Sequence, residues 1–164
     1  MNTKAAYNYY KEYILNENKR ILFEKYSFPV NGLVSSHDWE LFAAILFNRS
    51  KQQKGADLGD YEIKSAKDGS NFEYQYHKNC GSLKLREDQK VNHVYISYDN
   101  QYKDITVRKL AGKSLIPLMK EWKTLFDSNY QNNKQRFRKN VPYSFVKKNA
   151  EIIFTTKGGR MVDQ

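Results

Sequence analysis

Apolar residues recur at helical spacing near the start of the chain. Tyr10 and Ile14 are four residues apart, and Ile21 and Leu22 resume the apolar face after the polar break "NEN". This pattern predicts that residues 3 to 26 are mainly helical. The turn residues in "SFPVNGL" are expected to end the helical region.

A second helix is predicted from about Asp38 to Asn48. Its sequence, "WELFAAILF", is apolar on nearly all sides, and Ser35 with Asp38 fits the capping box that begins many helices. A helix that is apolar all round is normally buried, so we expect this one to lie in the core.

The middle of the chain alternates between apolar and polar residues, which is typical of β-strands. "DYEIKSA" and "NFEYQYHK" flank the turn residues "KDGS" and predict a β-hairpin or two adjacent strands. "HVYISY" and "DITVRKL" predict a second strand pair across "DNQYK".

The last part of the chain returns to a helix and then to strands. "SLIPLMKEWKTLF" predicts a helix, because Leu118 and Trp122 share a face and Pro117 lies near the first turn. The basic segment "NNKQRFRKN" is expected to be a loop. We expect "PYSFVKK" and "EIIFTT" to form a final strand pair and "KGGRMVDQ" to be a loose tail.

This order of elements predicts an α/β or α+β fold, with a mixed central β-sheet flanked by helices. Hydrophobic residues make up 40% of the chain and aromatic residues 15%, so it can bury a core. The chain has 164 residues and no repeat or long linker, so we expect a single domain over residues 1–164.

The formal net charge of +10 changes this picture by pointing to an anionic partner. Nucleic acid is the first candidate and an anionic membrane surface the second, with simple solubility as the alternative. No apolar run approaches the ~20 residues that span a bilayer, and no secretory signal is evident. The single cysteine, Cys80, excludes an internal disulfide and a cysteine-based zinc site. We therefore expect a reduced, cytoplasmic protein without a membrane segment.

The candidate chemistry lies in "GADLGDYEIKS". Glu62 and Lys64 are two residues apart on a predicted strand, so they point the same way, and Asp57 precedes them across a short Gly turn. Two converging carboxylates suit Mg²⁺, which is often shared with a phosphate. Lys64 would then stabilise charge at the scissile phosphate or act as a general base. The alternative is an ordinary solvated, salt-bridged strand face.

These residues resemble a known family. "GAD" followed by "YEIKS" resembles the metal-binding motif of the PD-(D/E)XK nuclease superfamily, with Asp57, Glu62 and Lys64 at the D, E and K positions. The similarity is closer to the PvuII-like type II restriction endonucleases, whose chains have nearly this length. Corresponding segments follow in the same order from about residue 50 to residue 154: "FEYQYHKN", "VNHVYISY", "LMKEWKTLF" and "VPYSFVKKNAEIIF".

The resemblance implies a restriction-endonuclease-like fold and a cytoplasmic prokaryotic enzyme. Such an enzyme hydrolyses double-stranded DNA with Mg²⁺, as a homodimer at a short palindromic site. Residues 1–34 would contribute to the dimer contact, residues 35–156 would form the catalytic and DNA-recognition core, and residues 157–164 would be the loose tail. The alternatives are a nickase or junction resolvase of the same superfamily, or a non-catalytic nucleic-acid-binding module.

The strand after the catalytic motif is implied to read bases in the major groove. His77 and Asn79 correspond to polar positions of the family and are the best specificity candidates, because both side chains can pair with purine edges. Gln75 lies one alternation step before His77 and would face the same groove. The alternative for His77 and Asn79 is a pair of ordinary polar residues at a strand end.

Two further pairs of residues are candidate DNA contacts. Ser36 and His37, just ahead of the second helix, lie where the family approaches the minor groove. Arg136 and Arg138 are expected to contact phosphates, with a solvated loop as the alternative.

One feature departs from the PvuII-like pattern. Only four residues separate Asp57 from Glu62, a shorter spacing that resembles the MvaI-like and MutH-like branches of the superfamily. The chemistry is unaffected, but the branch and the geometry of the cut stay open. Glu40 is either an additional acid near the metal or a satisfied helix residue.

Overall fold

The computed structural model describes residues 1–162. Its strands are β1 (Tyr61–Lys67), β2 (Phe72–His77), β3 (Asn92–Tyr98), β4 (Ile105–Ala111), β5 (Arg136–Val141), β6 (Glu151–Lys157) and β7 (Arg160–Met161). Its α-helices are α1 (Thr3–Tyr9), α2 (Glu17–Lys25), α3 (Ser36–Phe47), α4 (Gly81–Asp88), α5 (Ile116–Gln131) and α6 (Tyr143–Asn149). A π-helical segment, Tyr10–Leu15, follows α1, and a 3₁₀ turn, Gly112–Leu115, precedes α5.

A five-stranded mixed sheet forms the centre of the fold, in the order β1-β3-β4-β6-β7. β1 is parallel to β3, and the other neighbours in this sheet are antiparallel. One face packs against α1 and α3, where Trp39 and Phe42 meet Ile96. The other face packs against β2 and α5, where Tyr95 meets Tyr74 and Trp122. The predicted mixed sheet flanked by helices is therefore confirmed.

The N-terminal region is helical, as predicted, and its helices are separated at Asn16, the first residue of the polar segment "NEN". Asn16 has a φ of 28° and accepts a hydrogen bond from the Lys19 N–H, so it ends one helix and caps the next. α3 begins at Ser36, slightly earlier than predicted, and the capping box between Ser35 and Asp38 is present. The predicted β3–β4 pair and the helix α5 are also found.

The first two predicted strands form, but they do not pair with each other. β1 pairs with β3, whereas β2 pairs with β5 in a separate two-stranded antiparallel sheet. The prediction of a hairpin is wrong because β2 buries three aromatic rings on one face, those of Phe72, Tyr74 and Tyr76. These rings belong to the same cluster as Trp122 and Phe126 of α5, which draws β2 away from the edge of the main sheet.

Two predictions near the C-terminal end are wrong. The segment predicted as a basic loop contains β5, because Phe137 and Val141 point inward while Arg136 and Arg138 alternate outward. The segment "PYSFVKK" forms the helix α6 and not a strand. Its one buried residue, Val146, donates its N–H to the Pro142 carbonyl, so the helix satisfies this group without a strand partner.

The expected loose tail is ordered as far as residue 162. β7 pairs with β6 across Gly158 and Gly159, which both have positive φ and form the tight turn. The rest of that tail, residues 163–164, lies outside the described residues. Among residues 1–162, no helix is long and apolar enough to cross a membrane.

Candidate active site

The sequence-predicted residues Asp57, Glu62 and Lys64 come together at β1, the edge strand of the main sheet. A turn with Gly59 at a φ of 81° reverses the chain ahead of β1. It brings Asp57 back beside the strand, where its Oδ2 accepts the Ile63 N–H at 2.9 Å. The short spacing between Asp57 and Glu62 therefore produces a compact site at an open strand edge.

Glu62 is the most buried of these three residues, with 3% exposure. Lys64 Nζ lies 2.5 Å from Glu62 Oε1, and Lys84 Nζ lies 2.5 Å from Glu62 Oε2. Burial raises the pKa of the Glu62 carboxyl, but the two ammonium groups outweigh it and hold this pKa below its usual value. Glu62 is thus a fixed carboxylate in a buried position.

Lys84 is a site residue that the sequence reasoning missed. It lies on α4, in a segment for which no element was predicted, and it also contacts Asp88 at 3.1 Å. The four-residue spacing of Lys84 and Asp88 is the one local signal that could have pointed to a charged helix face here. Its contact with Glu62 joins distant parts of the chain and has no local signal.

A cavity of about 200 Å³ opens beside the site. Asp57, Lys64, Ser36 and Glu40 contribute to its lining. Burial and the nearby Glu62 carboxylate raise the pKa of Asp57. Repulsion of this kind marks a place where a cation would be favourable.

Glu40 does reach this cavity, although its carboxylate is already paired with the Lys51 ammonium. The Lys51 Nζ also lies 3.9 Å from Asp57 Oδ1. Glu40 is therefore a satisfied helix residue that also lines the cavity, and its role as an additional acid near a metal stays a prediction.

The site residues fit a hard divalent cation. Asp57 supplies a carboxylate at the strand edge, and the Ile63 carbonyl faces the same edge, because the N–H and C=O of one strand residue point the same way. Glu62 adds a second carboxylate, whose oxygens have lone pairs beyond those used by the lysines. Within residues 1–162, no three His, Cys, Asp or Glu side chains cluster closely enough to hold a metal without other ligands.

Four of the candidate DNA contacts, two base-reading and two phosphate-contacting residues, lie on one surface. In the β2–β5 ribbon, Gln75 stands opposite Arg138 and His77 stands opposite Arg136. Gln75 Nε2 lies 3.2 Å from His77 Nε2. Because the aromatic residues of β2 point inward, these four polar side chains lie on the outer face. Arg136 and Arg138 are therefore strand residues, not the loop residues that were expected.

The other three candidate DNA contacts lie off the ribbon. Asn79 lies in the turn after β2 and not on the strand, so it leaves the face that carries His77. Ser36 lines the cavity beside Asp57, and His37 follows it in the exposed first turn of α3. Ser36 and His37 are thus neighbours of the candidate active site.

No protein-family model matches the chain, and no curated protein is significantly similar to it in sequence. Residue chemistry and geometry therefore carry the functional interpretation.

Proposed function

We propose that the protein is a Mg²⁺-dependent type II restriction endonuclease that cuts double-stranded DNA as a homodimer. One observation carries this proposal: Asp57, Glu62 and Lys64 converge at an open strand edge. The order and spacing of these residues resemble the PD-(D/E)XK motif. The excess of positive charge in the chain is consistent with a polyanionic substrate.

Asp57, Glu62 and the Ile63 carbonyl would hold the ion. When bound, Mg²⁺ supplies Lewis-acid polarisation of the phosphoryl oxygen and lowers the pKa of a water. The reaction is attack of that water on phosphorus and cleavage of the bond to the 3′ oxygen, which leaves a 3′-hydroxyl and a 5′-phosphate. The two carboxylates repel each other before the ion binds, and this repulsion favours cation uptake.

Lys64 would act as a charge stabiliser. Its ammonium is paired with Glu62 Oε1 and lies 4.9 Å from the centre of the Tyr74 ring, while it lines the cavity beside Asp57. A cation held there stabilises the negative charge that builds up on the phosphoryl oxygens in the transition state. The ion pair favours this role over that of general base.

The β2–β5 ribbon would supply DNA recognition. The major groove of B-DNA admits a two-stranded β-ribbon, and this one carries polar and basic side chains on its outer face. Gln75 and His77 would contact base edges, while Arg136 and Arg138 would contact phosphates. Direct pairing of these positions across the ribbon supports this proposal, because both kinds of contact would then lie on one surface.

A homodimer is supported by the surface of the N-terminal region. Ile21, Leu22, Tyr26 and Phe28 are all more than half exposed. Large apolar side chains grouped in this way are typical of an interaction surface. Two-fold symmetry would give each subunit one half of a palindromic site.

The test is incubation of plasmid DNA with the protein in Mg²⁺ and in EDTA. We expect discrete linear fragments with Mg²⁺ and intact plasmid with EDTA. Lys64→Ala should still shift duplex DNA in a gel but should not cut it, whereas Lys67→Ala, three residues further along the same strand, should cut normally. Accumulation of nicked circles would instead indicate a nickase, and a gel shift without any cleavage would indicate a binding module.

A further inference from the structure

The ammonium group of Lys84 is enclosed by oxygen atoms. Its Nζ lies 2.5 Å from Glu62 Oε2, 3.1 Å from Asp88 Oδ1 and 3.8 Å from Glu87 Oε2. It also donates a hydrogen bond to the Gly55 carbonyl at 3.4 Å. Oxygen ligands of this kind, mostly carboxylates with one backbone carbonyl, are those that hard cations choose in proteins.

The backbone of Gly55 is adapted to this arrangement. Gly55 has a φ of 87°, and a Cβ at this position would lie 2.5 Å from Glu87 Oε1. Only glycine allows its carbonyl to approach Lys84 so closely beside Glu87. The turn that delivers Asp57 therefore also contributes an oxygen to the Lys84 ammonium.

We propose that Lys84 is a built-in cation that positions Glu62 in place of a second metal ion, so that each active site takes a single divalent ion. This inference rests on the proposed function, since it concerns how the same carboxylates are used. Lys84 is a positioning residue, because it acts on the reaction through Glu62.

The two lysines that pair with the Glu62 carboxylate have different surroundings, and this difference indicates different roles. Lys64 lines the cavity beside Asp57, where a bound phosphate would meet its ammonium group. Lys84 is tied to Asp88, which is fully buried and accepts a hydrogen bond from the Tyr76 hydroxyl at 2.8 Å. Lys84 is therefore the anchored cation and Lys64 the one that faces the reaction.

The spacing of the carboxylates is that of an ammonium site, and a metal ion in its place would draw their oxygens closer. Oxygens stand 2.5–3.8 Å from Lys84 Nζ, whereas Mg²⁺ requires ligands at about 2.0–2.1 Å. Without the ammonium, Glu62 and Asp88 would be buried charges with no cation between them, which is strongly unfavourable. Removal of the Lys84 side chain should thus create a vacancy that a metal ion fills.

The test is the stoichiometry of Mn²⁺ binding to the full chain, measured by calorimetry without DNA. We expect one ion per chain for the native protein and two for Lys84→Ala. Lys51→Ala is the matched control, because it removes another ammonium near Asp57 without touching Glu62, and it should still bind one ion. Two ions on the native protein, or an unchanged count in Lys84→Ala, would overturn the proposal.

A second variant separates this role from a purely structural one. Lys84→Ala combined with Asp88→Asn removes a ligand of the new position, so the count should return to one ion while the fold, checked by circular dichroism, is kept. A count that stays at two would overturn the assignment of Asp88. If the native protein binds no ion and Lys84→Ala binds one, Lys84 does occupy the place of a metal ion, but the proposed Mg²⁺-dependent nuclease activity is wrong.

Discussion

The hydroxyl of Tyr74 lies 2.7 Å from Nδ1 of His93, and this contact fixes the proton positions beneath the active site. His93 Nε2 lies 2.6 Å from the Asp88 carbonyl, which only accepts, so Nε2 carries the proton. Nδ1 of the neutral ring then accepts from Tyr74, whose oxygen accepts in turn from Tyr95 at 2.8 Å. A protonated His93 would break this order, and burial lowers the pKa of His93 to about 4.

The first prediction concerns acid stability. Because the pKa of His93 is about 4 in the folded protein and 6.5 in its usual state, the unfolded chain takes up a proton in this window that the folded protein excludes. The free energy of unfolding should therefore fall by about 3 kcal/mol from this group as the pH drops through the window. His93→Gln keeps a donor and an acceptor but does not titrate, so its free energy of unfolding should not show this fall. Urea denaturation in EDTA across the window measures it.

Asp88 provides the control, because its effect has the opposite sign. Burial and the Glu62 carboxylate raise the pKa of Asp88 from 3.8 to about 6, so the folded protein takes up this proton first. Protonation of Asp88 therefore raises the free energy of unfolding as the pH falls from about 6 toward 3.8. Asp88→Asn should steepen the acid loss while His93→Gln reduces it. Parallel slopes in both variants would contradict the assignment.

The second prediction separates stability from catalysis at Asp57. Asp57→Asn keeps an oxygen that can accept the Ile63 N–H, but it removes the negative charge that Glu62 repels. We expect the free energy of unfolding at neutral pH to rise by about 1 kcal/mol, because the repulsion between the two carboxylates of the site is removed. Cleavage should be lost because a metal ligand is missing. Denaturation in EDTA and a plasmid assay in Mg²⁺ measure the two effects.

Asp57→Ala is the matched variant for the hydrogen bond. It removes both the charge and the acceptor, so the Ile63 N–H loses its partner at a part-buried position. The free energy of unfolding should fall by about 1–2 kcal/mol relative to Asp57→Asn. Equal stabilities of the two variants would mean that this hydrogen bond does not hold the turn in place.

Local sequence patterns suffice to predict the site residues on β1 but not all that surrounds them. The alternation of β1 and the Gly turn before it are encoded within a few residues, so the meeting of Asp57 with Glu62 follows from them. The position of Lys84 depends on the packing of α4 against β2, and only Leu85, Gly81 and Asp88 of that helix are buried. So weak an apolar pattern does not predict a helix.

The local sequence pattern also does not predict which strands pair with each other. The alternating aromatic residues of β2 predict one buried face, and this face is satisfied equally well by a hairpin or by a distant strand. Pairing with β5 follows from the shared packing of Phe137 and Tyr76 against α5, which is a tertiary effect. This pairing brings Arg138 opposite Gln75, although the sequence predicted a loop at Arg138 and a strand at Gln75.

The third prediction tests whether Arg138 contacts phosphates while His77 reads bases on the ribbon. Arg138→Ala should weaken binding to all duplexes alike and reduce the slope of log affinity against log salt by about 0.9, since one phosphate contact is lost. His77→Ala should leave the salt slope unchanged and reduce discrimination between cut site and random duplex by about 1–3 kcal/mol. Fluorescence anisotropy in EDTA at several salt concentrations measures both quantities.

Lys123→Ala is the control for charge alone. Lys123 is exposed on α5 and pairs with Asp127, away from the ribbon, so its loss removes one positive charge without a proposed DNA contact. The salt slope should then match that of the native protein. If Lys123→Ala lowers the slope as much as Arg138→Ala does, the ribbon has no special part in DNA binding.

The fourth prediction concerns the homodimer. Leu22 on α2 is 54% exposed, beside Ile21 at 58%, and burial of both in a contact between subunits would stabilise a dimer. Leu22→Glu places a charge in that contact and should shift the protein to monomers, measured by sedimentation velocity. Leu83→Glu is the matched control, because Leu83 on α4 is 66% exposed and outside the N-terminal region. A native protein that sediments as a monomer would contradict the homodimer. Equal dissociation of both variants would show that the subunit contact does not depend on the N-terminal region.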